Sequence, residues 1–109
     1  MQLIRQVDPS HGACITINPA HVSVFFVRTF DATDGPDRAG AVVTAVVPGS
    51  NRESKYRLTP LLSRADACRA HAHLTRIVTC RDMPGEIAWD DGQWTLNGAP
   101  AADFIHLGS

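Results

Sequence analysis

The stretch Ile87-Ala88-Trp89-Asp90-Asp91-Gly92-Gln93-Trp94-Thr95-Leu96 decides how the C-terminal part of the chain folds. Asp91-Gly92 is a strong two-residue hairpin signal, because a type I′ turn requires positive φ at both central residues. A turn there pairs Asp90 with Gln93, Trp89 with Trp94 and Ile87 with Leu96. Directly opposed residues share a face, so both tryptophans and both aliphatics lie on one side, and Ala88 and Thr95 on the other. If that side faces inward, the tryptophans are core. If it faces outward, Trp89, Trp94, Ile87 and Leu96 form an apolar interaction patch. The inward reading is preferred, because a small domain needs its large side chains inside.

Working outward, the period changes just upstream. Ser63-Arg64-Ala65-Asp66 is an N-cap pattern, in which the serine oxygen accepts an early helical N–H and the aspartate complements the positive helix end. Ala67, Ala70, Leu74, Ile77 and Val78 then fall on one stripe of a helix running from about 63 to 80, stopped by Pro84-Gly85. Before the helix, alternation and β-branched runs predict strands over Met1–Val7, Ala13–Asn18, His21–Phe30, Ala41–Val47 and Ser54–Leu58. Asp103–Leu107 is expected as a last strand. The fold class is α+β: a curved antiparallel sheet or small barrel of about six to eight strands with one main helix. With 109 residues and no internal linker, positions 1–109 form a single domain.

Phe25–Val27 and Val42–Val47 are apolar on both sides, and such strands are normally covered on both faces. One alanine-rich helix covers one face. The other is closed by barrel curvature, by the tryptophan hairpin or by a second copy of the chain, and symmetric self-association is the commonest intermolecular solution.

Hydrophobic residues make up 44% and charged residues 19%, as in globular rather than disordered chains. The net charge of −1 disfavours nucleic-acid binding. No apolar run approaches the roughly 20 residues of a membrane helix, and the N-terminus lacks the zones of a signal peptide, so a cytoplasmic location is expected. Lys55 is the only lysine among ten basic residues. The arginine and alanine bias fits a GC-rich bacterial source. Small single-domain chains without motifs are frequent among accessory proteins of phages and mobile elements.

Several residues have the chemistry of sites. His21 opens the central strand and would serve as a general base if an aspartate such as Asp31 oriented it; the simpler reading is a turn histidine bonded to backbone. His71 borders the helical stripe, while His73 lies about 200° round from it and is expected to face water. Cys68, His71, His73 and Cys80 are metal-ligand types, but a structural zinc site needs four converging ligands at spacings absent here, so no metal and no cofactor are expected. Cys68 and Cys80, about 18 Å apart along one helix, are too distant for a disulfide. Asp31, Asp34 and Asp37 lack the alternate-residue spacing of a calcium loop. Arg52, Lys55, Arg57 and Arg64 make a mild basic patch, suited to an acidic partner or phosphate, or simply a solvated edge that blocks aggregation.

Ile17-Asn18-Pro19-Ala20-His21-Val22, followed by strands and by Tyr56-Arg57-Leu58 leading into a capped helix, resembles the small FlbD-like proteins linked to flagellar regulation. The likeness spans the middle half of the chain. The tryptophan hairpin has no counterpart in it, and no residue role is carried over.

The leading expectation is a small cytoplasmic non-enzymatic binding module, homodimeric or engaged with another protein. The alternative is a small enzyme or ligand binder with a sheet–helix pocket built on His21 or His71 with an aspartate. An enclosed cavity with converging polar groups separates the second from the first.

Overall fold

The computed structural model describes residues 2–6, 16–30, 39–80 and 84–106. Their order is β1 (Gln2–Arg5), β2 (Thr16–Ile17), a 3-10 turn (Pro19–His21), β3 (Val24–Phe30), β4 (Gly40–Val47), β5 (Ser54–Arg57), α1 (Arg64–Thr79), β6 (Gly85–Asp90), β7 (Gln93–Leu96), β8 (Ala99–Pro100) and a closing 3-10 turn (Ala101–Asp103). The strands form two sheets, a five-stranded one in the order β2-β1-β6-β7-β8 and a three-stranded antiparallel one in the order β3-β4-β5. The architecture is α+β, and neither sheet closes into a barrel. No helix among the described residues is long and apolar enough to cross a membrane.

The helix matches its sequence signals. The Ser63 hydroxyl accepts the Asp66 N–H at 3.1 Å, and the chain leaves at Cys80. Ala67, Ala70, Leu74 and Ile77 are its buried residues. Of these, Ala70, Leu74 and Ile77 meet Val43, Ala45 and Leu58 of the β4–β5 region and Ile4, Ile17, Ile87, Trp94 and Leu96 of the larger sheet in one cluster. The helix is thus the wedge between the two sheets. Its C-terminal carbonyls, which an α-helix leaves without internal partners, are reached from the chain's other end: the Gln2 amide donates to the carbonyls of Ile77 at 2.8 Å and Cys80 at 3.1 Å.

Three features depart from the sequence expectations. The larger sheet is mixed, because β1 pairs parallel with β6 through Gln2–Gly85, Leu3–Glu86 and Ile4–Ile87. A parallel pair needs a long crossover, and the crossover here carries the whole second sheet and the helix. His21 does not open β3: it belongs to the Pro19–His21 turn, which Asn18 caps by accepting the Ala20 N–H at 2.9 Å. Finally, no strand forms over the described part of Asp103–Leu107. Pro100, which has no N–H to extend a ladder, leads into a 3-10 turn closed by Phe104 N–H to Ala101 O at 3.0 Å.

The hairpin has the expected register: Ile87–Leu96, Ala88–Thr95, Trp89–Trp94 and Asp90–Gln93. Asp91 and Gly92 take positive φ of 50° and 80°, as a type I′ turn demands. A second constraint closes its far end. Gly85 sits at φ +144°, where a Cβ would run into the Asn97 side chain, and Asn97 Oδ1 accepts the Glu86 N–H at 3.0 Å.

The wedge is the point of greatest sensitivity. Leu74 is fully buried between the sheets. Leu74→Ala is expected to cost about 2–5 kcal/mol in denaturant unfolding, whereas Ala65→Ser, on the exposed helix side, is expected to fall within about 0.5 kcal/mol.

Candidate functional site

The tryptophan face points inward. Trp94 is 2% exposed, and Ile87 and Leu96 are buried beside it. The Trp94 Nε1–H donates to the Ala70 carbonyl at 2.7 Å, a bond that satisfies a polar atom in the core. Trp94, Ile87 and Leu96 therefore present no exposed patch on this chain. Trp89, stacked edge-on against Trp94 with ring centroids 5.1 Å apart, is the half-buried member at the surface.

Trp89 borders a groove of about 270 Å³ between the hairpin and the N-terminal part of α1. Ala70 and Leu62 contribute apolar walls, and Asp66, Arg69, His73 and Gln93 contribute polar groups. Arg69 is bonded to Asp66 at 3.2 Å. His73, expected to face water, instead lines this groove half-buried. Burial first, and then the guanidiniums of Arg69 and Arg76, hold its pKa below the usual 6.5. The groove is smaller than the roughly 300–1,000 Å³ typical of small-molecule pockets.

The histidines expected to do chemistry are placed otherwise. His71 Nε2 lies 2.9 Å from the carbonyl oxygen of Phe25 on β3. A carbonyl only accepts, so this nitrogen carries the proton and ties the helix to the strand. His21 is exposed in its turn, and no carboxylate is paired with it among the described residues. Asp31 lies outside the described residues. No three His, Cys, Asp or Glu side chains among the described residues are grouped to hold a metal, and Cys68 and Cys80 are free thiols.

The basic residues divide. Arg52 is in the exposed turn before β5, and Arg64 begins the helix. Lys55 and Arg57 share the face of the three-stranded sheet that points away from α1, opposite Val46 and Thr44 of β4. Arg28 of β3, opposite Val42, joins them on that outer face. The sequence reading missed Arg28 because only the β3–β4–β5 order brings it to Arg57. Both guanidiniums lie over the ring of Phe30, at 5.2 Å for Arg28 and 5.5 Å for Arg57.

β4 is buried along nearly its whole length within the single chain, so its two apolar faces do not themselves require a partner. Among the described residues the exposed large apolar side chains are Val24 of β3, Leu61 before the helix and Phe104 after the closing turn, so within the smaller sheet the uncovered apolar surface falls on β3. Val24 is 47% exposed, and Phe25, Phe26 and Val27 are half-buried. β3 is also a sheet edge, paired only with β4 among the described residues. The backbone pattern shows which of its groups face outward. Ala41 and Val43 of β4 bond toward the β5 side, to Leu62 and Leu58. Alternation then turns Val42, Thr44 and Val46 toward β3, where they oppose Arg28, Phe26 and Val24. Phe25, Val27 and Thr29 therefore turn their N–H and C=O groups to the edge away from β4, where the Phe25 carbonyl is taken by His71.

No family model matches the chain, and no curated protein and no solved structure matches it.

The groove yields a pH prediction. The neutral form of His73 is favoured by the fold, so acidification below about 6.5 must either charge it at a cost or unfold the groove. Stability is expected to be constant with respect to this group above that pH and to fall below it. Proton-detected titration is expected to place the His73 midpoint below 6.5, and Arg69→Gln to move it upward.

Proposed function

We propose that this chain is a small non-enzymatic binding module that self-associates through the free edge of β3. The observation that carries the proposal is the seven-residue edge strand Val24-Phe25-Phe26-Val27-Arg28-Thr29-Phe30. A long apolar edge is a template for pairing with another strand, and proteins that do not use such an edge usually blunt it with charges, prolines or a bulge. Arg28 is the single charged residue in the strand, and it contains no proline.

A second copy fits this edge in charge as well as in backbone. Antiparallel pairing about a two-fold axis at Val27 places Phe25 opposite Thr29 of the partner and joins the Phe25 N–H to that residue's carbonyl, while the partner's Thr29 N–H shares the Phe25 carbonyl with His71. On the outer face the same register sets Phe26 against the partner's Arg28 and Val24 against the partner's Phe30. Cations thus meet aromatic rings instead of each other. Face-to-face stacking of the outer sheet faces is the poorer arrangement, because it opposes Arg28, Lys55 and Arg57 to their own copies.

The shallow Trp89–His73 groove supports a second, smaller reading as a ligand site. It would take a small planar molecule against Trp89, with Arg69 and Gln93 as polar contacts. Tryptophan fluorescence reports on that reading independently of mass.

Light scattering on a sizing column tests self-association. The wild-type chain is expected to run as a dimer that dissociates on dilution. Val24→Lys, an exposed position that the monomer does not need, is expected to weaken the dimer by at least about tenfold while leaving the near-ultraviolet circular dichroism of the tryptophans unchanged. A monomer mass at every concentration, or a dimer indifferent to Val24→Lys, would overturn the proposal.

A further inference from the structure

The groove between the tryptophan hairpin and the N-terminal part of α1 is open because small residues line it. Ala70 on the helix, Gly92 at the hairpin tip and Ala102 in the closing turn leave space that larger side chains would fill. Beside Gly92 the space is clear, since a Cβ there would meet nothing within 4 Å. The cavity of about 270 Å³ falls short of a drug-sized pocket and suits a single ring. Its walls favour an aromatic one. Leu62 and Ala70 are apolar, and Trp89 is half-buried and braced edge-on by Trp94, which makes it a fixed aromatic surface. Such a surface gains from a second ring in stacked or edge-on contact.

Charge then selects among rings. Asp66, Arg69 and His73 are the titratable side chains that line the groove. Asp66 already has Arg69 at 3.2 Å, and both side chains are more than half exposed. The pair is therefore a weak surface one, and it leaves Arg69 with further N–H groups for another acceptor. His73 lies on α1 between Arg69 and Arg76, and burial together with those two charges holds its pKa below 6.5. Asp90 and Asp91 of the hairpin and Asp103 of the closing turn adjoin lining residues in sequence without lining the groove themselves. A cation entering here is repelled by the guanidiniums and finds Asp66 taken. An anion meets a guanidinium and an imidazole that its own charge helps to protonate.

We infer, resting on the reading of this groove as a ligand site, that it binds a monocyclic aromatic carboxylate, with the ring against Trp89 and the carboxylate toward Arg69 and His73. Gln93, on the hairpin side, adds a neutral hydrogen-bond donor. The site is independent of the β3 edge. Binding carries a proton with it: the carboxylate offsets the two guanidiniums, so the His73 midpoint rises in the complex, and by linkage the protonated protein holds the anion more tightly. While the ligand itself stays ionised, affinity is expected to be flat above the midpoint of the complex and to rise as the pH falls through it. It levels off below the midpoint of the free protein, which lies under 6.5.

The test titrates the whole protein with benzoate and, in parallel, with benzamide, its uncharged analogue, following the Trp89 indole N–H and the His73 ring by nuclear magnetic resonance at several pH values. Saturable benzoate shifts at both residues are expected, with affinity that rises on acidification, and benzamide is expected to bind more weakly by about tenfold. Arg69→Gln is expected to weaken benzoate by about tenfold and to leave benzamide unchanged. His73→Asn is expected to keep benzoate binding and to abolish its pH dependence. Equal binding of the two compounds without pH dependence would overturn the assignment of an anion while leaving a groove for neutral rings. Saturation by neither compound would overturn the groove as a ligand site altogether.

Discussion

The hydrogen bond from the Trp94 indole to the Ala70 carbonyl, at 2.7 Å, fixes the relation on which the rest of the structure depends. An α-helix carbonyl is normally occupied by its own ladder, and a side chain can share it only where the helix surface is low. Ala70, with no side chain beyond its methyl, makes that low surface. The alanine notch, which looks like a weak stripe in a list of apolar residues, lets the largest side chain of the fold lie against the helix backbone. Leu74 and Ile77, one and two turns on, then fill the space between the sheets. One helix of modest apolar content thereby serves two sheets, and Gln2 closes its C-terminal end from the other end of the chain.

This arrangement explains what the sequence made legible. Local chemistry was enough wherever neighbours in sequence are neighbours in space. The Asp91-Gly92 turn set the hairpin register down to the individual pair, and Ser63 and Asp66 marked the helix start. What depended on distant pairing was not legible. The parallel β1–β6 contact joins residues separated by most of the chain, and no local period announces it. The turn at His21 looked like a strand start because Val22 continues the apolar alternation of β3, while the Asn18 cap held the backbone in a 3-10 turn. His71 and His73 were separated correctly by helical geometry. Which of them met the sheet and which met a groove depended on how the hairpin folds over the helix, and His73, read as solvated, was the one in the groove.

The candidate sites follow from the same division. The tryptophans, prominent in sequence, are mostly spent on the core. Part of the exposed apolar surface among the described residues is on the edge strand of the smaller sheet, at Val24. There the apolar residues of β3 and the cations of β3 and β5 share a face, an arrangement that needs the strand order to be seen. The edge offers outward backbone groups, the kind of surface to which a further strand adds.

The central claim is that the outward backbone groups of β3 are paired in solution. Amide hydrogen exchange of Phe25, Val27 and Thr29, measured over a range of protein concentrations, tests it most directly. The account predicts protection at these three amides that grows with concentration, while those of β4 are protected throughout. Fast exchange at Phe25, Val27 and Thr29 at every concentration would contradict it and leave β3 a bare edge.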